Sequence, residues 1–404
     1  MAITIHDSPD LYAPVNNQMR FVLSSTNSGQ DNFRYVVDVY TSGVSGYVRH
    51  LFSPDPSTGQ GYPDVSGTLK PQITFDLSSN VYGFQLCNNS YKAYEVKFGE
   101  QYGADASITT YANLAFSGVK YAWNGVFSSE QMRTFDYTLY TSGGGSAILS
   151  NQPDDLYWYG SLENRWFYFI NDTSGTVYFA QIKTYNSSGT LLGTYKIENT
   201  YQASSSYLHK LLKIDVGEKG LNGATLYSGS QSVITAAVEY YTVELTNFAG
   251  TLTSGTYTYH RQCAWKGLAP ITLHFLNRLG GFDSFNFRLA RRNFSDVTRD
   301  TFEKNLGGVS SNTWTWNDRD RGTTIFNQEI KDRMILDSDW IETEEATWLQ
   351  ELIESPQVFY HTSETSIPVI VKQSSYEKKN SVVEKLFNLT IEVEYANKRG
   401  TQGA

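Results

Sequence analysis

The sequence predicts a mainly β protein, with two tandem β-sandwiches followed by an α+β C-terminal domain that holds one helix. Three observations support this prediction. Aromatic residues make up 15% of the 404 residues, with 29 Tyr and 22 Phe, and aromatic side chains favour strands. Short alternating runs are separated by turns rich in Gly, Ser and Asn. A single stretch near the C-terminus carries the spacing and capping signals of a helix.

Residues 1–100 contain a series of alternating runs. Residues 19–23 and 33–40 are strand-like, and a loop with three prolines follows between residues 53 and 63. Tyr94, Val96 and Phe98 then alternate with polar residues, so they are expected to share a buried face. Strands at this spacing, with turns between them, predict a β-sandwich of the immunoglobulin or fibronectin kind.

Residues 101–146 lack a sustained period. Trp123 and Phe127 lie among Gly, Ser and Asn, and the stretch ends in the sequence Ser-Gly-Gly-Gly-Ser, which is typical of a flexible joint. We therefore expect an irregular arm or excursion, with a domain boundary near Gly144. Trp123 and Phe127 are candidate interface residues, because an aromatic segment that cannot bury itself locally is expected to insert into a neighbouring subunit.

Residues 147–259 return to short aromatic runs, such as residues 166–170 and 176–185, separated by turns that contain glycine. They predict a second sandwich of the same kind. Trp158 and Tyr159 lie in an aromatic-rich segment of this part. Flat rings of this kind stack on sugars, which makes the two residues candidates for glycan contact. The alternative is that they belong to the sandwich core and to a subunit interface, where Tyr and Trp are also enriched.

Residues 260–404 form the predicted α+β domain. Two alternating runs flank Gly280 and Gly281, which permit the positive φ angles of a tight turn, so we expect a hairpin. His274 falls on the polar side of the first run and is expected to be a surface or interface residue. The predicted helix covers residues 343–355, with Thr343 as its N-cap and Pro356 at its end.

Charge and hydropathy argue against nucleic-acid binding, secretion and membrane insertion. The net charge is −9, and phosphate binding requires a basic surface, so no direct contact with nucleic acid is expected. The first residues lack the charged and apolar regions of a secretion signal, and no stretch approaches eighteen uncharged apolar residues. We therefore expect neither secretion nor membrane insertion.

No catalytic or metal-binding motif is found in the sequence. The six histidines form no HExxH pair, and GxSxG is absent. Residues 318–322 resemble part of a calcium loop, but the glycine comes one place early and two arginines interrupt the acidic residues. The prediction is a non-enzymatic protein without catalytic residues, cofactor or metal. A carboxylate pair for glycoside hydrolysis stays open as an alternative, because such residues meet only in the fold.

Several segments resemble structural proteins of tailed phages that infect Bacteroidetes, including crAss-like phages. The resemblance rests on residues 275–285, 336–340, 348–356 and 385–397, which include the hairpin turn and the predicted helix end. It covers most of the C-terminal third, and the N-terminal layout around residues 33–40 is similar as well. The resemblance implies a virion component of the tail, collar or baseplate, and it carries over no catalytic residue.

The resulting expectation is a virion structural protein, made in the host cytoplasm. It would assemble into a ring or collar of the tail, neck or baseplate through contacts with copies of itself and with other virion proteins. The alternative is a glycan-binding adhesin at the tail tip. A third hypothesis is an enzyme that degrades surface polysaccharide.

Overall fold

The computed structural model describes residues 3–77, 82–104, 109–144, 148–160, 163–202, 204–229, 232–262, 269–362, 365–372 and 387–400. The protein is mainly β, as the sequence predicts: strands account for 48% of the structure and helices for 11%. The chain forms two compact units. Unit 1 comprises Met1–Gln262 and Leu276–Ser284, and unit 2 comprises Cys263–Phe275 and Phe285–Ala404. The predicted division into 1–100, 101–146, 147–259 and 260–404 is finer, and it stays a prediction.

The strands of unit 1 come from most of its length. In chain order they are β1 Ile3–Asp7, β2 Tyr12–Pro14, β3 Val22–Ser25, β4 Arg34–Thr41, β5 Val48–Phe52, β6 Phe84–Leu86, β7 Tyr91–Tyr102, β8 Thr109–Trp123, β9 Asp155–Trp158, β10 Trp166–Asn171, β11 Phe179–Tyr185, β12 Leu191–Glu198, β13 Lys210–Asp215, β14 Tyr240–Thr246 and β15 Tyr257–Arg261. Short helices connect them: α1 Ser66–Leu69, α2 Ser129–Arg133 and α3 Glu218–Gly223, with 3-10 turns at Lys70–Gln72, Tyr137–Tyr140, Ser142–Gly144 and Ser205–Tyr207.

The N-terminal part of unit 1 is built on a five-stranded sheet of order β2-β8-β7-β4-β5, accompanied by the pair β1-β3. Tyr94, Val96 and Phe98 point into one core with Phe21 and Tyr35, which confirms the predicted alternation in β7. Each of these five side chains is at most 2% exposed, so the hydrophobic effect stabilises this sheet from one face.

The expectation of an irregular stretch at 101–146 is wrong for its first half. β7 continues to Tyr102, and β8 is a fifteen-residue strand that pairs with it antiparallel, placing Tyr91 opposite Trp123. The register shifts at three places along this pair, and each irregularity interrupts the alternation of side chains. That is why no period is visible in the sequence. Residues 145 and 146 of the predicted flexible joint lie outside the described residues.

The second part of unit 1 contains two more sheets. One has the order β12-β11-β14-β15-β9, and the other has the order β10-β13-β6. β6 belongs to the first hundred residues, yet it pairs with β13, placing Phe84 opposite Ile214. All six residues of β10 are buried, as expected for a strand that is covered on both faces.

Unit 2 is one seven-stranded sheet with a helical segment and a short distal hairpin. Its strands are β16 Ile271–Leu276, β17 Phe282–Phe287, β18 Ala290–Glu303, β19 Gly308–Ser310, β20 Thr313–Thr315, β21 Thr323–Ile341, β22 Val358–His361, β23 Ser366–Val371 and β24 Phe387–Tyr395. The sheet has the order β17-β16-β22-β23-β24-β21-β18, and β19 pairs separately with β20. The helices are α4 Thr343–Trp348 and α5 Gln350–Glu354.

The predicted hairpin is confirmed as β16 and β17, and its tip, Leu276–Ser284, belongs to unit 1. The surface position expected for His274 is wrong. Its side chain is fully buried, and its ring lies 4.7 Å from the ring of His361. The cause is that the hairpin is buried on both faces, so its alternation does not separate an inner side from a solvent side.

The predicted helix is present but interrupted at Leu349, between α4 and α5. Glu342, rather than Thr343, occupies the N-cap position, and its backbone N–H donates to Glu345 Oε2 at 3.0 Å. The helix packs through Trp348, whose ring lies 5.5 Å from the ring of Phe275. Ser355 and Pro356 follow the last turn, as expected from the proline.

Candidate functional site

Trp123 and Phe127 lie inside unit 1 and not on its surface. Trp123 is 1% exposed and Phe127 is 6% exposed. The ring of Phe127 lies 5.2 Å from Phe135 and 5.1 Å from Tyr140, in edge-on contacts. Such contacts are favourable between buried aromatic rings. The segment therefore buries its own rings, and the expectation that Trp123 and Phe127 need a neighbouring subunit is wrong.

The tip of the hairpin closes this aromatic cluster. Trp123 Nε1 donates to the carbonyl oxygen of Leu279 at 3.1 Å, and the N–H of Val126 donates to the carbonyl of Arg278 at 2.8 Å. Gly280 has a φ of +88°, and a Cβ at this position would lie 2.4 Å from the carbonyl oxygen of Asn124. The close approach requires glycine.

Trp158 and Tyr159 lie in a different set of contacts. Trp158 is 1% exposed, and the guanidinium of Arg261 lies 4.6 Å from its ring centre. Tyr159 is half-buried, and its N–H donates to Glu163 Oε2 at 2.6 Å. Trp158 therefore presents no ring face to a glycan, and the core alternative describes its position.

A cluster of buried polar residues follows directly in the chain. Glu163, Asn164, Arg165 and Asp215 are each at most 4% exposed. Glu163 Oε1 accepts a bond from Arg165 Nε at 2.5 Å. Asp215 Oδ1 accepts from the N–H groups of Arg165 and Gly217, both at 3.0 Å, and its Oδ2 accepts from Asn164 Nδ2. A buried charge is tolerated when its lone pairs are satisfied in this way.

The chemistry of this cluster is structural. Burial raises the pKa of Asp215 from 3.8 to about 7, against the lowering effect of its three hydrogen bonds. Both oxygens of each carboxylate accept hydrogen bonds from this chain, Glu163 through Arg165 and Tyr159. These acids therefore hold strand ends and loops together, and they are not presented to a substrate.

A narrow cavity with a volume of about 10 Å³ lies beside Tyr12, Tyr121, Trp123 and His209. The hydroxyl of Tyr12 bonds to His209 Nδ1 at 2.5 Å. Burial raises the pKa of Tyr12 and lowers the pKa of His209, so both groups are neutral at neutral pH and share one hydrogen bond. Ligand pockets usually have volumes of roughly 300 to 1,000 Å³. This cavity is smaller, and its polar groups already bond to each other.

The largest exposed feature of unit 2 is a two-stranded extension, which we call the ribbon and define as residues 295–332. β21 pairs with β24 only from Arg333 to Ile341. The preceding residues of β21 pair with β18 alone, apart from an isolated bridge between Ile330 and Arg399. From Ser295 to Glu303 the paired part extends roughly 30 Å. A two-stranded hairpin has little stability of its own in water.

The ribbon carries apolar side chains into solvent. Trp316 and Val309 are each 71% exposed, Phe326 is 67% exposed and Trp314 is 50% exposed. The rings of Trp314 and Trp316 lie 6.4 Å apart at its distal end, and Phe302 lies 6.2 Å from Phe326. Exposed apolar side chains gathered on one projecting element are typical of a protein-interaction site.

Sequence reasoning missed the ribbon. The signal was available: β18 alternates charged and apolar residues such as Arg292, Phe294, Asp296 and Phe302, with no face that is purely apolar. Such a strand is typical of a sheet edge or an extension, because no core covers either side. The sequence instead predicted an irregular arm or excursion at residues 101–146 and no extension at residues 295–332.

Comparison of the sequence with models of known protein families and with curated proteins gives no match. Among the described residues, no helix has the length and apolar character needed to span a membrane. Within the same part of the chain, no three His, Cys, Asp or Glu side chains are grouped as metal ligands would be.

Proposed function

We propose that the protein is a non-enzymatic structural component of a phage virion, which assembles into a ring or collar of the tail, neck or baseplate. The ribbon is the observation that carries the proposal. It exposes Trp314, Trp316 and Phe326 on an element that has no core of its own. In an assembly these side chains would be buried against a copy of the chain or another virion protein, which would stabilise the ribbon by the hydrophobic effect.

The resemblance of several segments to structural proteins of tailed phages of Bacteroidetes also supports the proposal. We further propose that the sheets of unit 1 are two tandem sandwiches of the immunoglobulin or fibronectin kind, and that unit 2 is the α+β domain that follows them. Buried alternation in β7 and the packing of Trp348 on Phe275 support this assignment.

The test is the mass of the purified chain in solution, measured by light scattering, with negative-stain images of the same peak. We expect a closed multi-chain ring. Replacing Trp314 and Trp316 together by Ser removes exposed apolar area from the ribbon and is expected to lower the mass. The matched control is Val44→Ser, since Val44 is 54% exposed in unit 1. A monomer at every concentration contradicts self-driven ring formation.

A glycan-binding adhesin at the tail tip is the second candidate. One observation favours it: Trp314 is 50% exposed and Trp316 is 71% exposed, whereas Trp158 is buried. A glycan array probed with the wild-type chain and with Trp316→Ser separates the two functions. Binding that is lost in the variant favours the adhesin, and absence of binding to any host glycan removes it.

A further inference from the structure

Among the described residues, no second strand covers the outer edge of β18. β18 is the last strand of the seven-stranded sheet, and among the described residues only β21 pairs with it. Every residue from Arg291 to Glu303 is exposed. An edge strand of this length presents a row of unpaired N–H and C=O groups to any second strand. Natural proteins usually shorten, bend or cover such an edge, whereas this one is long and has no covering strand in the described part of the chain.

The charges along β18 select one partner and one register. When a strand pairs antiparallel with its own copy around a two-fold axis, residues equally far from the axis face each other. An axis at Val297 places Arg291 opposite Glu303 and does so twice, once on each side. Opposite charges facing each other across strands are stabilising, and like charges are destabilising.

Neighbouring registers are disfavoured by like charges. An axis at Asp296 places this carboxylate opposite itself, which offsets two Arg292–Asp300 pairs, and an axis at Thr298 places Asp296 opposite Asp300 twice. Moving the axis to Ser295 places Arg291 opposite Arg299. The register centred on Val297 has none of these conflicts.

We propose that two copies of this chain join through the edges of β18, antiparallel, with Val297 on the two-fold axis and Arg291 paired with Glu303 of the other copy. The same register sets Arg292 opposite Phe302, a geometry that allows the guanidinium to lie on the ring. About a dozen main-chain hydrogen bonds form along the shared edge. Copies joined in this way are added two by two, so a ring built from them contains an even number of chains.

Charge reversal tests the contact. Arg291→Glu and Glu303→Arg each create two like-charge contacts, and each is expected to weaken the dimer roughly 10-fold to 100-fold in sedimentation velocity. Both sites are exposed, so each variant keeps its fold, which circular dichroism checks. Mixing the two variants in equal amounts puts opposite charges at both contacts, and the dimer is expected to return. A dimer that tolerates either reversal, or that fails to return on mixing, overturns the proposal.

A cysteine at the axis tests the register. In this register the two copies of residue 297 face each other with Cβ atoms about 5 Å apart, so Val297→Cys is expected to form a disulfide-linked dimer under mild oxidation. The control is Thr298→Cys, whose two copies lie too far apart to be bridged. The wild-type chain, run in parallel, accounts for its own two cysteines. Equal cross-linking of both variants overturns the register.

This contact rests on the proposed ring assembly and specifies one of its interfaces. Different experimental outcomes contradict the contact and the proposed function. A ring that keeps its mass after both reversals retains the proposed function and overturns the β18 contact. A dimer that responds to reversal but never grows into a ring retains the contact and contradicts the proposed function. Sedimentation of the wild-type chain as a monomer at about 100 μM, a concentration at which a micromolar contact would be formed, overturns the contact.

Discussion

Gly280 and Gly250 share the same backbone conformation and differ in their surroundings. Both have a φ of +88°, but a Cβ at Gly280 would lie 2.4 Å from the carbonyl oxygen of Asn124, while a Cβ at Gly250 would meet nothing within 4 Å. We expect Gly280→Ala to lower the free energy of unfolding by about 2 to 5 kcal/mol, and Gly250→Ala by about 1 to 2 kcal/mol. Urea denaturation measures both. Equal losses would show that Asn124 moves aside at little cost.

Asp215 predicts a pH dependence of stability. Its pKa is about 7 in the folded chain and about 3.8 when unfolded, so between these values the folded state holds a proton that the unfolded state has released. The contribution of Asp215 to the free energy of unfolding is therefore fully present below about pH 4 and is lost as the pH rises through 7.

Asp215→Asn removes this titration. We expect the free energy of unfolding of the variant to change less between pH 4.5 and 7.5, a range of about three units, than that of the wild-type chain. Asp318→Asn, at an exposed position, is the control and is expected to follow the wild type. A variant that keeps the full wild-type slope would show that another group titrates in its place.

Tryptophan is exposed in the ribbon and buried in the helical segment of unit 2. Trp316 is 71% exposed, and Trp348 is 3% exposed. We expect Trp316→Ser to change the free energy of unfolding of the isolated chain by less than about 0.5 kcal/mol. Trp348→Ala is expected to cost about 3 to 5 kcal/mol, because it leaves a cavity beside Phe275. Chemical denaturation of dilute samples decides this, and a large loss at Trp316 would place that ring in a packed core.

Elements with a strong local signal were predictable from the sequence. The hairpin of β16 and β17 follows from two alternating runs around adjacent glycines, and α4 and α5 follow from apolar spacing and a terminal proline. The length of β8 was not predictable, because its pairing with β7 is interrupted by irregularities that only the partner strand defines.

The role of an aromatic residue depends on contacts that are distant in the chain. Trp158 ends β9, which pairs with β15 about a hundred residues later, placing Trp158 opposite Arg261. Nothing near Trp158 in the sequence distinguishes it from Trp316, and tertiary pairing decides which ring is covered. The sequence therefore made Trp158 a candidate contact residue, although its side chain is buried.

At the scale of the whole molecule, distant segments are interleaved. β6, from the first hundred residues, joins the sheet of β10 and β13, and the hairpin tip of Leu276–Ser284 belongs to unit 1 although the chain around it belongs to unit 2. Such pairings carry no local signal, because their residues are separated by more than a hundred positions. Domain boundaries predicted from turns alone therefore separate residues that belong to the same sheet or the same unit.

Because the hairpin tip belongs to unit 1, truncation of the chain between the two units removes part of unit 1. A fragment ending at Gln262 would lack Leu276–Ser284, and with it the carbonyl groups that accept from Trp123 Nε1 and from the N–H of Val126. Trp123 Nε1 is buried, so the loss of its acceptor is costly. A chain truncated after Gln262 is therefore not expected to form a complete unit 1. The hairpin tip would have to be restored, either by adding a peptide of residues 276–284 or by joining residue 262 to residue 276 through a short linker.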